Sequence, residues 1–255
     1  MTTSPHTLRA KMASQAAFGT FIKLGRREVA EIVAHAGFDF AICDLEHSQI
    51  TEQEASQLIV AGIACGLPIT VRVASLDAGL INRLLEAGAA GIQLPQVQKR
   101  EQVAAFRNAM KYPPDGSRSI SMAQPAAGYG WEPLADYTRR ANGEILLVGQ
   151  LETCEIELPL EKLVQGLDVA FIGILDMTLD MALPGRFDDP QVVQRQREIE
   201  KAAAAAKVHM ASTLILRFVR LKPLLAAIAT LPSRRTWAHS RALRGHGSSN
   251  SGIHP

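Results

Sequence analysis

Cysteine is scarce: Cys43, Cys65 and Cys154 are the only three in a chain of 255 residues. They form no CxxC and an odd number cannot all pair, so they read as reduced, small apolar fillers. There is no GxGxxG turn and no P-loop, which removes the common phosphate cradles of nucleotide-binding folds. There is no HExxH and no Cys/His cluster, which argues against a structural or hydrolytic zinc site. No window reaches the ~18 uninterrupted apolar residues of a membrane span. The N-terminal "MTTSPHTLRAKMASQ" lacks the apolar core of a signal peptide, so the cytoplasm is the expected compartment and no membrane partner is expected.

Acidic residues also run out. Glu200 is the last of them. Residues 1–200 carry 18 Lys+Arg against 25 Asp+Glu, whereas residues 201–255 carry 9 Lys+Arg and no acid. The formal net charge of +2 therefore averages two unlike parts.

What is present is a regular alternation. Hydrophobic residues make up 47% of the chain, enough for one large core or two modest ones. From residue 17 to about 207, short apolar runs alternate with helical patterns. The runs are "AAFGTFIKL", "FDFAICDLEH", "LPITVRVAS", "AGIQLPQV", "EILLVGQLE" and "DVAFIGILD". Each is too short for a core helix and is bounded by Gly, Pro or polar residues. Segments such as "RREVAEIVAHAG" and "DAGLINRLLEAGA" repeat apolar residues at three and four and end in Gly, as helix C-termini do. "TEQEASQLIVAGIACG" opens with Thr51 three residues before Glu54, a capping-box spacing.

Apolar strands alternating with amphipathic helices imply a parallel sheet covered by helices. Two architectures fit, a (β/α)8 TIM barrel and a doubly wound open sheet. The polar residues favour the barrel. Most runs end in something reactive: His47, Arg72, Gln96, Glu152 or Asp176. Barrel active sites collect residues from the C-terminal ends of several strands, whereas an open sheet concentrates them at one switch point.

Each candidate also has a plainer reading. An acid after a strand, such as Glu152 or Asp176, is often a helix N-cap. Two acids on consecutive strands, aimed into one mouth, repel each other and call for a hard divalent ion. Arg72, inside "ITVRVAS", either packs its stem and reaches water with its head, or holds a carboxylate or developing oxyanion. His47 is either a satisfied histidine or a proton-transfer group with Asp44 and Glu46 close in sequence. Gln150 lies two residues before Glu152 and so faces the same side of that strand.

Taken in order, "GFDFAICDLEHSQ", "VRVAS", "LLEAGAAGIQLPQV", "VGQLET" and "FIGILDMTLDMALPG" resemble successive motifs of the HpcH/HpaI aldolase family. These are metal-dependent pyruvate aldolases on a (β/α)8 barrel. The resemblance runs from about residue 15 to 207. It implies that Glu152 and Asp176 bind a divalent ion (Mg2+, Mn2+ or Co2+). It implies that Arg72 touches the keto or enolate oxygen and that His47, supported by Asp44, serves the acid–base step. Gln150 would lie on the substrate side of the metal. Glu86 stands where the family often has Asp paired with that histidine, across subunits. Ile174 and Leu175 stand where the family usually has Pro and Ala, in a loop whose backbone N–H groups meet the substrate carboxylate. Bulkier side chains there would narrow the pocket, with Leu175 and Asp176 among the substrate-binding residues. The implied reaction cleaves a 4-hydroxy-2-oxo acid to pyruvate and an aldehyde, and the implied assembly is a homo-oligomer where the C-terminal end permits one. Two rivals remain: a citrate-lyase-like acyl-CoA lyase, and a non-catalytic barrel remnant with a defective C-terminus.

After "KAAAAAKVHM" the alternation fails, and residues 209–255 form an atypical basic segment behind the 15–208 barrel core and the 1–14 extension. A basic tail can bind nucleic acid, but this one has a single Trp and no organised repeat, so no nucleic-acid partner is expected. A divergent ending can still close the barrel. A change of reading frame near residue 209 is the third explanation: in the shifted frame "MASTLIL" can be reread as G-I-Y-L-D-S and "ATLPSRRTWA" as Y-V-A-V-A-T-D-V-G, which look like the two missing strands.

Overall fold

All six apolar runs become strands of one parallel sheet. A computed structural model of the protein describes residues 6–213. The strands are β1 Gly19–Ile22, β2 Phe40–Asp44, β3 Ile69–Arg72, β4 Gly91–Leu94, β5 Leu146–Leu151, β6 Val169–Ile172 and β7 His209–Ser212. Their order in the sheet is their order in the chain, β1 to β7, and every pairing is parallel. A doubly wound sheet reverses its order at a switch point, and this one never does. The helices between strands are α2 Arg27–His35, α3 Glu52–Cys65, α4 Ala78–Ala87, α5 Arg100–Met110, α6 Leu134–Glu144, α7 Leu160–Val164, α8 Ile174–Asp180 and α9 Pro190–Ala206. They follow α1, His6–Met12.

The sheet curls until its ends share a core. Phe21 of β1 meets Phe171 of β6 edge to face, with ring centroids 6.3 Å apart. Phe21, Phe40 and Ala211 pack on a buried cluster of Ile42, Leu146, Val148, Val169 and Phe171. These are alternate residues of their strands, as inward-facing positions must be. Helix α1 closes the end of the interior where the strands begin. Leu8 joins the cluster, Arg9 pairs with Asp168 at 2.8 Å, and Lys11 pairs with Asp39. Helix α1 therefore plugs this end of the interior.

Local signals act as their chemistry dictates. Thr51 and Glu54 form the capping box of α3, and Gly66 ends that helix with φ 77°. The three cysteines are free. No helix among the described residues is long and apolar enough to cross a membrane.

Residues 209–212, grouped by composition with the basic segment, form β7 as written, in register with Val169–Ile172 of β6. The chain thus continues the sheet past residue 208 without any rereading. The eighth strand of a closed (β/α)8 barrel, and the shifted-frame reading of the remaining tail, lie outside the described residues.

Candidate active site

The inward-facing set changes character toward the C-terminal ends of the strands. On β2, Phe40 and Ile42 give way to Asp44. On β5, Leu146 and Val148 give way to Gln150, with Glu152 next on that face. Thr70 gives way to Arg72 on β3, and Gln93 faces inward from β4. The register places Asp44 beside Arg72 and Arg72 beside Gln93. A polar layer thus lies on the apolar core.

Asp44 and Arg72 are its hub. Arg72 Nε donates to Asp44 Oδ1 at 2.9 Å and Nη2 to Oδ2 at 2.8 Å, a two-pronged, fully buried pair. Lys23, just past β1, lies 3.3 Å from Asp44 Oδ2. Burial pushes the Asp44 carboxyl up, but the Arg72 fork, the His47 N–H and the Lys23 ammonium outweigh it and hold it down at about 2. The Arg72 guanidinium rests 4.9 Å over the Phe21 ring.

Asp44 makes no hydrogen bond to the His47 imidazole. Its Oδ1 instead accepts the backbone N–H groups of Glu46 at 3.2 Å and His47 at 3.1 Å, so it shapes the loop. The carboxylate beside the imidazole is Glu46, whose Oε2 is 3.8 Å from His47 Nε2 and 3.2 Å from Arg72 Nη1. The Arg72 contact is an ion pair without hydrogen-bond alignment. Burial pushes the Glu46 carboxyl up, and Arg72 only partly offsets it.

Glu152 is held from two sides. Its Oε1 accepts the Gln96 N–H at 2.9 Å, and its Oε2 accepts from Gln150 Nε2. Gln150 in turn accepts from Gln93. Gln96 adopts φ 52°, a left-handed conformation uncommon for a residue with a side chain. Such strain is usually found where a site requires it. Gly173 leaves room for this carboxylate: a Cβ there would sit 2.8 Å from Glu152 Cβ and closer still to its Oε2. Glu152 is 3% exposed, and burial pushes its carboxyl up despite both hydrogen bonds, with Asp176 and Glu46 adding to the effect.

Asp176 lies in the first turn of α8, whose N-cap residue is Gly173, and the helix that follows Glu152, α7, has Pro159 as its N-cap residue, so neither acid serves as an N-cap side chain. Glu46, His47, Gln96, Glu152, Thr153, Asp176, Leu179 and Asp180 line one cleft of about 240 Å³. The cleft brings together His47 and the two proposed ligands. It does not bring in Glu86, which sits on α4 and accepts from Asn82 Nδ2 at 3.3 Å within its own helix. Leu175 is 56% exposed and does not line the cleft. Among the described residues no group of three or more His, Cys, Asp or Glu side chains can hold a metal ion. The candidate set is the pair Glu152 and Asp176 that share the cleft. Two carboxylates, one of them buried and strained toward its neutral form, fit a hard oxygen-seeking ion whose other positions stay open. They do not fit a closed structural site.

Gln93, Gln96, Gly173, Lys23 and Asp180 complete this arrangement. Gln93 has a sequence signal, an amide inside the apolar "AAGIQLP". Gly173 has none without knowledge of the carboxylate beside it.

Comparison with known proteins agrees with this geometry. The chain is 35% identical over 205 residues to a pyruvate aldolase of Rhizobium etli, covering 80% of this chain and 79% of that one. It is 34% identical over 185 residues to a hydroxypyruvate/pyruvate aldolase of Sagittula stellata, covering 72% of each. The crystal structure of an HpcH/HpaI aldolase from Desulfitobacterium hafniense superposes with a TM-score of 0.76 at 25% identity, over 87% of this chain and 86% of that one. The pattern of the HpcH/HpaI aldolase/citrate lyase family matches residues 17–231. The chain therefore belongs to the HpcH/HpaI aldolase/citrate lyase family, a family of carbon–carbon lyases.

Proposed function

We propose that the chain is a divalent-metal-dependent aldolase that cleaves a 4-hydroxy-2-oxo acid to pyruvate and an aldehyde. One observation carries this reading. Glu152 and Asp176, from successive strand–helix units, share a cleft with His47, and the buried Arg72 stands behind Glu46 at its wall.

A divalent ion held by Glu152 and Asp176 would supply charge stabilisation to the oxygen of the pyruvate fragment. The chain's own residues do the rest. Arg72 keeps its guanidinium plane fixed by Asp44, so its remaining N–H donors face one direction and can meet the 2-oxo oxygen as negative charge develops on it. Gln150, clamped between Gln93 and Glu152, holds the Glu152 carboxylate in place. His47, with a side chain 55% exposed at the cleft, takes the 4-hydroxyl proton as the C3–C4 bond breaks. The electron pair of that bond passes to the pyruvate fragment, which is protonated at C3 on release. Glu46 lies where it can stabilise the imidazolium that forms. Leu175, second residue of α8, offers its backbone N–H in the first turn, where helix N–H groups lack internal partners.

The test is pyruvate release from a panel of 4-hydroxy-2-oxo acids of differing length and charge, with and without Mn2+ after chelation. Metal-dependent release supports the reading. Turnover that needs a CoA thioester instead would favour the citrate-lyase side of the family, and no turnover of either kind would favour the non-catalytic remnant.

A further inference from the structure

The cleft is short of positive charge. Its lining includes four acids (Glu46, Glu152, Asp176 and Asp180) and no Lys or Arg among the described residues. The cations nearby are committed elsewhere. Arg72 pairs with Asp44 and Glu46, and its remaining donors are those proposed for the 2-oxo oxygen of the pyruvate fragment. Lys23 lies against Asp44. Arg195 reaches the Cys154 carbonyl at 3.5 Å and Glu198 at 3.8 Å.

Asp180 is the acid left over. It lies one helical turn beyond Asp176 on α8, and its Oδ2 accepts the Cys154 N–H, a contact that fixes the carboxylate without neutralising it. A divalent ion would match Glu152 and Asp176, and Arg72 faces Glu46. Nothing described matches Asp180. Beside it stands Leu179, 62% exposed and lining the same cleft.

We infer that this cleft selects an uncharged aldehyde fragment, aliphatic or hydroxylated, and rejects one that ends in a carboxylate, sulfonate or phosphate. The inference rests on the aldolase reading above. A neutral chain packs on Leu179, and a hydroxyl can donate to Asp180. An anionic terminus would meet Asp180 with no cation to pair it. At an effective dielectric constant of about 20 to 40 and a separation of about 6 Å, that repulsion costs a factor of about 10 to 100 in selectivity. Among the described lining residues, His47 is the only group that can become cationic.

The experiment runs the reaction as synthesis. Pyruvate C3 bonds to the aldehyde carbon. The proton lost from C3 is balanced by one gained on the new hydroxyl, so no co-reactant is needed. The full chain with Mn2+ is given pyruvate and either butanal or succinic semialdehyde, four-carbon aldehydes that differ in a terminal methyl against a carboxylate. The expected kcat/KM for butanal is higher by about tenfold or more. Asp180→Asn should narrow that ratio, and Leu179→Lys should narrow or invert it by adding a cation at the wall. A parent ratio of one or below, or a ratio unchanged in both variants, overturns the inference. Exchange of pyruvate methyl protons in D2O with Mn2+ and no acceptor checks the aldolase reading by itself. Exchange without the expected ratio sinks only the selectivity; absence of exchange sinks both.

Discussion

Replacing Asp44 by Asn tests the hub of the polar layer. The substitution keeps the shape of the side chain and removes its charge. Among the described residues it leaves the buried Arg72 paired with Glu46, with Glu152 acting from farther off. The Asp44 carboxyl titrates at about 2 in the fold against an ordinary value of 3.8. That gap corresponds to about 2 kcal/mol of stability at neutral pH. Breaking a buried pair outright typically costs about 3–5 kcal/mol, because the surviving charge is stranded, and the remaining Glu46 contact should keep the loss toward the low end of that range. The expected loss for Asp44→Asn at pH 7 is therefore about 2–3 kcal/mol. The sign with pH follows from the depressed value. The contribution is fully present above 3.8 and fades as pH falls toward 2. Urea unfolding of parent and variant, followed in parallel from pH 7 downward, should show the two midpoints converging as acid is added, with unchanged slopes. A gap below about 0.5 kcal/mol at pH 7, the size of an ordinary surface substitution, would mean that Arg72 is held by something other than Asp44.

The remaining predictions concern the proposed metal site and one helix. Glu152→Ala and Asp176→Ala should each abolish Mn2+ binding by calorimetry, since each removes one of two charges facing the ion; a variant that binds as tightly as the parent would dismiss the assignment. Arg72→Lys keeps the charge but loses the planar fork, and turnover should fall by about 10²–10³; near-normal rates would make Arg72 structural. Gly173→Ala should weaken Mn2+ binding while the fold survives, because the new methyl would lie 2.8 Å from Glu152 Cβ and must displace that side chain. Thr51→Ala should destabilise the fold by about 1 kcal/mol without touching Mn2+ binding, since it removes only the cap of α3.

What was legible in the sequence, and what was not, divides along a physical line. The six apolar runs announced β1 to β6 because strands covered on both faces must be apolar throughout. The caps of α3 were legible because capping chemistry is local: Thr51, Glu54 and Gly66 act within their own turns. Helix α1 was not, because it is only seven residues long and its apolar positions Leu8 and Met12 acquire meaning only from the barrel end they cover.

The pairing inside the polar layer was not legible for a related reason. Asp44 and His47 are three residues apart, and nearness in sequence suggested a working pair. Strand alternation turns Asp44 inward, where its neighbour is fixed by register with β3, and that neighbour is Arg72. His47 lies past the strand on the loop, beside Glu46. Register is a relation between two segments 28 residues apart and leaves no mark on either one. Asp180, by contrast, was within reach of a sequence argument. It stands four residues after Asp176 in "DMTLD", on the same face of any helix that carries Asp176. Its consequence follows from charge alone. A site that gathers carboxylates to hold a divalent ion must neutralise each of them or discriminate against anions at the one it leaves over.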